Sequence, residues 1–211
     1  MYLQASISAT SNKLLLKNIV VFASGSGSNF QSLINAVSDG KLTANIVGLI
    51  TNNKSAFALE RAQKHGIPTF IISPDQFNSE SDYSKTVLSK LEEWDADLLI
   101  LAGYLKKIPL EIIQSFDNRI LNIHPSLLPK YGGKGFYGSK VHEAVIRNKD
   151  SQSGCTVHVV TAEYDEGPVI GQSTVQVADS DTAASLAEKV LEREHILLPE
   201  TIQKYLTTSK N

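Results

Sequence analysis

The sequence has 211 residues, of which 42% are hydrophobic and 20% are charged, and this composition is typical of a globular protein that buries a sizeable core. Its formal net charge of −2 argues against non-specific nucleic-acid binding, which needs a basic surface, so no nucleic-acid partner is expected. No apolar stretch approaches the length of a membrane span, and no membrane association is expected either.

The N-terminal segment and the single cysteine bear on location. Residues 1–17 are expected to form a disordered or extended leader, because residues 1–12 are polar and lack the basic start of a signal peptide. Cys155 cannot form an internal disulfide, which fits a reducing compartment, and a cytoplasmic location is expected. This cysteine falls in an apolar run, which favours a packed, inert thiol over a nucleophile.

Apolar periodicity predicts alternating strands and helices over the first part of the chain. The predicted strands are 18–24, 46–50, 67–72, 97–102 and 119–124. The predicted helices are 30–37, 55–65, 80–93 and 109–116. Such alternation implies right-handed crossovers and a parallel sheet.

The rest of the chain follows a different pattern. A Gly-rich loop at 131–138 and a helix near 139–148 precede two strands, at about 154–161 and 168–177. Their short connection favours an antiparallel pair added to the parallel sheet. A last long helix should begin after Asp179 to Asp181, and Pro199 should kink it.

These elements predict one α/β domain over residues 18–206, followed by a tail at 207–211. The expected architecture is a Rossmann-like, mostly parallel sheet flanked by helices, with the antiparallel strand pair near its C-terminal end.

The first strand ends in a turn at residues 24–29 with the sequence Ser-Gly-Ser-Gly-Ser-Asn, here called the glycine turn. Backbone amides that open a helix point the positive end of its dipole at an anion, so this turn suits a phosphate. A dinucleotide site would need a third glycine where Phe30 stands, and a Walker loop would end in Gly-Lys-Ser/Thr. The alternative is a tight strand-to-helix turn with Ser28 as the N-cap.

A second motif, Asn-Ile-His-Pro-Ser-Leu-Leu-Pro, starts at Asn122. Strand alternation places Asn122 and His124 on one face, at the carboxyl end of a strand, where α/β folds bind ligands. The turn at 161–168 is acidic, and a carboxylate brought near an imidazole raises the pKa of the ring. A charged ring and an amide suit an oxyanion, which predicts acyl transfer without a covalent intermediate.

A structural interpretation of the same residues stays open. A histidine beside prolines can be structural, and Asn122 could serve loop carbonyls instead of a ligand. His158 can equally belong to the core or stand behind the site, and no cluster has the spacing of a metal site.

Together the glycine turn, the Asn-x-His-Pro-Ser-Leu-Leu-Pro motif and the Asp-x-Gly-Pro turn at 165–168 resemble the phosphoribosylglycinamide formyltransferase family of de novo purine synthesis, over residues 18 to 203. The resemblance implies transfer of the formyl group of 10-formyltetrahydrofolate to the amine of glycinamide ribonucleotide, with the folate as co-substrate and no metal. Small-molecule substrates are then the expected partners, and the chain is expected to be a monomer or a homodimer.

The resemblance also implies roles for individual residues. The catalytic trio would be Asn122, His124 and Asp165. The ribonucleotide would be bound through Gly27, Ser28 and Asn29 at its phosphate and through Glu194 at its ribose hydroxyls. The implied folate contacts are Lys106, Lys107, Ile108, Asn122, Thr161, Ala162, Glu163, Tyr164 and Asp165.

Three features depart from the family pattern. Glu80 stands where a basic residue near the folate glutamate is common, and Lys106 and Lys107 replace an Arg followed by an apolar residue. The loop at 131–138 also differs, and we expect it to shape or gate the folate pocket.

Other functions remain as alternatives. Formyltetrahydrofolate hydrolases share the trio but carry a regulatory domain before it, methionyl-tRNA formyltransferases carry a C-terminal RNA-binding domain and a basic surface, and sugar-nucleotide formyltransferases are usually longer. A non-catalytic nucleotide sensor on the same fold would need no oxyanion donor.

Overall fold

A seven-stranded sheet forms the centre of the computed structural model, which describes residues 16–208. The strands in chain order are β1 (Lys17–Phe22), β2 (Ala44–Thr51), β3 (Thr69–Ile71), β4 (Leu98–Leu101), β5 (Ile120–His124), β6 (Gln152–Val159) and β7 (Val169–Gln176). Their spatial order is β3-β2-β1-β4-β5-β6-β7. The first five strands pair in parallel, whereas β6 is antiparallel to both β5 and β7. The predicted mostly parallel sheet with an antiparallel pair is therefore confirmed.

The helices alternate with the strands as predicted, within a few residues at their ends. They are α1 (Ser28–Ser38), α2 (Ala58–Lys64), α3 (Glu80–Glu93), α4 (Leu110–Ser115), α5 (Ser139–Arg147) and α6 (Ala183–Thr208), with one short 3-10 turn at Pro74–Gln76. Pro199 lies inside α6, which continues on both sides of it, and the kink stays a prediction. None of the helices between residues 16 and 208 is long and apolar enough to cross a membrane. The expected leader lies almost wholly outside the described residues, as does the end of the expected tail.

At the centre of the sheet both faces are buried: successive residues of β1 point to opposite sides, and each side packs against helices. Ile19 and Val21 belong to a core shared with α1, α2, α5 and α6. Val20 and Phe22 belong to a second core shared with α3 and α4. All four side chains are 0% exposed, so the β-branched run that predicted β1 is buried on both faces. The result is three layers with the sheet in the middle.

The strand order reverses at β1, which lies between β2 and β4. In such a sheet the loops that follow the two central strands diverge and leave a crevice where ligands bind. Ser24, after β1, joins the two loops here: its N–H donates to the Gly103 carbonyl over 3.0 Å, and its hydroxyl accepts from the Leu105 N–H over 2.8 Å. The loop after β4 is therefore hydrogen-bonded to the start of the glycine turn.

Candidate active site

A cavity of about 740 Å³, here called the main cavity, opens at the carboxyl ends of the central strands. Its walls are the glycine turn, the loop after β4, the end of β5, the loop at 133–138, the turn at 160–165 and the facing sides of α5 and α6. Asn122, His124 and Asp165 all line it. The structure thus brings the three predicted catalytic residues together, two from the end of β5 and one from the turn between β6 and β7.

Asp165 lies between two histidines in this cavity. Its Oδ2 is 3.6 Å from Nδ1 of His124, and its Oδ1 is 3.5 Å from Nε2 of His158. The Gly133 N–H donates to Oδ2 over 2.9 Å, which ties the carboxylate to the glycine-rich loop. Burial raises the pKa of Asp165, but the contact with His158, the charge of His124 and the Gly133 amide together hold it below its usual value. Asp165 is therefore ionised at neutral pH.

The proton on His124 is placed by its surroundings. Nε2 lies 2.8 Å from the Tyr131 carbonyl oxygen, so this nitrogen carries a hydrogen and donates it. The ring is 4% exposed, and burial lowers its pKa below the ordinary value, with the nearby Asp165 carboxylate opposing that effect. Asp165 does raise the pKa of the ring, as expected, but burial outweighs the carboxylate, so the expectation of a charged ring is wrong. The ring is neutral at neutral pH, and Nδ1, facing Asp165, is the nitrogen that can gain a proton.

Asn122 is oriented by His158, which sequence analysis left between core and supporting roles. Nδ1 of His158 donates to the Val159 carbonyl over 3.0 Å. Nε2 of His158 lies 3.0 Å from the Asn122 amide nitrogen and also faces Oδ1 of Asp165. His158 is 2% exposed and therefore stands behind the site, where it fixes the direction of the Asn122 side chain.

The glycine turn leads directly into α1. Gly27 is the N-cap, at φ 68°, and no side chain in the described part of the chain caps the helix there. The alternative with Ser28 as N-cap is wrong, since Ser28 is already the first helical residue. A Cβ on Gly27 would lie 2.7 Å from Cβ of Ala58, so both the backbone angle and the close approach of α2 require glycine. The uncapped amides of α1 remain available to an anion.

Asn29 and Glu194 join the glycine turn to α6. The Asn29 amide donates to Oε2 of Glu194 over 2.6 Å, and each residue is 7% exposed. Burial raises the pKa of Glu194 to about 7, and the hydrogen bond from Asn29 acts against this rise. Both residues line the main cavity, and Oδ1 of Asn29 is buried with no partner among the described residues. Ser28 lines instead a second cavity of about 490 Å³, between α1 and α6, and Gly27 lines neither.

The nine residues expected to contact folate all line the main cavity. Nζ of Lys107 lies 5.4 Å from the ring centroid of Tyr164, and Nζ of Lys106 lies 2.9 Å from an oxygen of Asp75. Glu80 begins α3 and is not part of the cavity wall. The loop at 133–138 does form part of that wall, in keeping with the expectation that it shapes the pocket.

Sequence analysis missed His142, which lies on the buried side of α5 and lines the main cavity. The residue is 5% exposed, and its Nδ1 has no hydrogen-bond partner within residues 16–208. Burial lowers its pKa, and so does the nearby His124. Periodicity could have placed it on the inner face of α5, but not beside the trio. Burial also raises the pKa of Cys155 to about 12, as expected of a packed thiol.

Known proteins with similar sequences and folds point the same way. A formyl transferase family model matches residues 17–202. The chain is 42% identical over 199 residues to the chloroplastic phosphoribosylglycinamide formyltransferase of Arabidopsis thaliana, covering 94% of this chain and 68% of that one. It is 36% identical over 185 residues to phosphoribosylglycinamide formyltransferase of Escherichia coli K12, covering 88% and 85%. Its fold matches glycinamide ribonucleotide transformylase 1 of Symbiobacterium toebii with a TM-score of 0.86 at 33% identity, over 92% and 89%.

Proposed function

Because the chain belongs to the formyl transferase family and is similar to phosphoribosylglycinamide formyltransferases, we propose that its main cavity moves the formyl group of 10-formyltetrahydrofolate to the amine of N1-(5-phospho-D-ribosyl)glycinamide. The family predicted from the three motifs is confirmed. The reaction belongs to purine biosynthesis, and the folate is its co-substrate. In the described residues no cluster of His, Cys, Asp and Glu is arranged to hold a metal ion.

One observation carries the proposal. An imidazole, a carboxamide and a carboxylate meet in the cavity that the glycine turn and Glu194 also line, with the ring nitrogen of His124 3.6 Å from Asp165. An anionic ribonucleotide and an acyl donor can therefore both reach these three side chains, each from its own end of the cavity.

The amine attacks the formyl carbon, a C–N bond forms, and the carbonyl electron pair moves onto oxygen. The Asn122 N–H₂ group donates to the resulting oxyanion. Nδ1 of His124 takes the proton that the amine releases, and the ring becomes positively charged beside ionised Asp165. The electron pair on oxygen then re-forms the carbonyl, the bond between carbon and the folate nitrogen breaks with its electron pair on that nitrogen, and the proton passes from Nδ1 of His124 to the same nitrogen.

The two substrates occupy opposite ends of the cavity in this proposal. The ribonucleotide phosphate is bound at the start of α1 by the backbone of Gly27, Ser28 and Asn29, of which only Asn29 lines the main cavity, and the ribose hydroxyls bond to Glu194. The folate lies along residues 106–108 and against the turn at 161–165. The uncapped amides of α1 and the free acceptor on Asn29 support the first assignment.

The deciding experiment incubates the protein with 10-formyltetrahydrofolate, with and without glycinamide ribonucleotide. We expect formyl loss only when the amine is present, with formylated ribonucleotide as the product. Equal loss to water alone would contradict the proposal and select the hydrolase. His124→Ala, assayed in parallel, tests whether the activity resides in this cavity.

We also propose that residues 18–206 form one formyltransferase domain, which the continuous sheet and the family match support. The monomer or homodimer expectation is tested by light scattering of the purified protein. A cytoplasmic location is supported by the single buried thiol of Cys155, and cell fractionation tests it, since the Arabidopsis relative is named chloroplastic.

A further inference from the structure

The glycine turn has no cation of its own, because its six residues are Ser, Gly and Asn. It also bonds, through Asn29, to the buried carboxyl of Glu194. A phosphate bound there would carry close to two negative charges near a group that is itself partly ionised at neutral pH. The start of α1 offsets only about half an elementary charge. A fixed positive charge close to the turn would therefore strengthen phosphate binding considerably.

Arg61, on α2, is hydrogen-bonded to the glycine turn. Its Nε donates to the Ser26 carbonyl over 2.8 Å, and its Nη1 donates to Oε1 of Gln31, in the first turn of α1, over 3.1 Å. The guanidinium lies 5.0 Å from the ring centroid of Phe57, which restricts it further. The planar guanidinium of Arg61 thus links the glycine turn to α1, the helix that follows the turn.

The same helix supports the turn through its backbone. The Ala58 N–H donates to the Gly25 carbonyl over 3.2 Å, and Ala58 leaves no room for a Cβ on Gly27. The Ser26 and Gly25 carbonyls are therefore both bonded to α2. This leaves the amides at the start of α1, rather than carbonyl oxygens, to face an anion.

Arg61 and Lys41 are the arginine and lysine side chains that line the second cavity with Ser28 among the described residues, and of the two only Lys41 has an ion pair there. His195 lines the same cavity. Lys41 is bonded to Asp39 over 3.1 Å. Burial and the charge of Arg61 both lower the pKa of His195, so that ring is neutral at neutral pH.

From these contacts, and resting on the proposed function, we infer that Arg61 is a positioning residue for the ribonucleotide: it holds the glycine turn in its anion-binding shape and supplies the positive charge that the turn lacks. Its effect falls on affinity for the phosphate end of one substrate. The formyl donor and the chemical step lie in the main cavity, which Arg61 does not line, and are not affected.

The test compares Arg61→Gln and Arg61→Lys with Lys64→Gln, which removes one charge from the same helix at an exposed position. We expect Arg61→Gln to raise the KM for the ribonucleotide at least tenfold, while the KM for the folate and kcat at saturation stay within twofold. Arg61→Lys keeps the charge but loses the fork, so its KM should lie between those of wild type and Arg61→Gln. Lys64→Gln should behave as wild type.

Binding of ribose 5-phosphate, measured by calorimetry, gives a readout that needs no formyl transfer. We expect Arg61→Gln to weaken it at least tenfold and to flatten its dependence on salt concentration. Unchanged affinity in Arg61→Gln, or the same loss in Lys64→Gln, would overturn the inference, as would equal losses in both KM values and kcat. If wild type bound ribose 5-phosphate through Arg61 but transferred no formyl group, the proposed function alone would fail. If Arg61→Gln does not fold, Arg61→Lys decides by the same two measurements.

Discussion

Replacing Asp165 by Asn isolates the electrostatic part of the proposed mechanism. Asn has almost the same shape as Asp and can still accept from the Gly133 N–H, so the loop contact at 2.9 Å is kept. What is lost is the negative charge 3.6 Å from Nδ1 of His124, at the moment when that ring takes up a proton.

The size of the loss follows from that distance. Two unit charges 3.6 Å apart attract by about 4–5 kcal/mol at an effective dielectric constant of about 20. Each 1.4 kcal/mol, roughly, is tenfold in rate, so Asp165→Asn should lower kcat by about three orders of magnitude. Substrate binding should change far less, because His124 is neutral before the reaction starts.

The assay follows release of the deformylated folate at saturating concentrations of both substrates. Asp179→Asn, an exposed acidic residue outside the main cavity, serves as the control and should keep wild-type activity. Circular dichroism and thermal unfolding of each variant show whether the fold is kept. A folded Asp165→Asn enzyme with kcat within tenfold of wild type would refute the proposed charge stabilisation.

Three further predictions concern pH and the glycine turn. The pKa of His124 is lowered, so the neutral ring that takes up the proton should persist at neutral pH, and kcat should fall only as the pH drops through a value below 6.5. A pH–rate profile measures this, and an inflection above 6.5 would contradict it. The pKa of Glu194 is raised from 4.5 to about 7, so its buried charge costs stability as the pH rises through that range. Glu194→Gln should therefore have a free energy of unfolding about 3 kcal/mol above that of wild type at about pH 8 and little above it at about pH 5. The same variant should bind the ribonucleotide more weakly. Denaturant titrations at both pH values measure the stability difference, and an equal gain at both would contradict the prediction. Gly27→Ala should lower the free energy of unfolding by about 1–3 kcal/mol and raise the KM for the ribonucleotide, because its Cβ would meet Ala58 and its φ is positive. Gly25→Ala has open space and no positive φ, so comparable destabilisation there would remove the steric argument.

The fold could be read from the sequence because its signals are local. The run that became β1 is buried on both faces, and glycine and proline residues mark where several strands stop. Strand alternation also placed Asn122 and His124 on one face, next to a motif whose family resemblance singled out Asp165 in the acidic turn. These features depend on neighbours in the chain.

What could not be read from the sequence depends on tertiary contacts. The pKa of His124 is set by how deeply the ring is buried, and its tautomer by the carbonyl of Tyr131, seven positions away in a loop of irregular backbone. The contact of Arg61 with the glycine turn exists only because β1 and β2 pair and bring α2 against that turn. His142 lines the cavity because of how α5 packs, and no sequence motif predicts that packing.

The hydrogen bond between Asn29 and Glu194 joins residues 165 positions apart, one at the start of the first helix and one inside the last. A partly synthesised chain therefore lacks half of the proposed ribose pocket until α6 has emerged and docked. After α6 has docked, a bound ribonucleotide would contact both helices and oppose their separation. The resulting increase in the free energy of unfolding would grow with ligand concentration. The substrate would thus link the first and last helices of the fold, and a high cellular concentration of it would increase the stability of the folded enzyme.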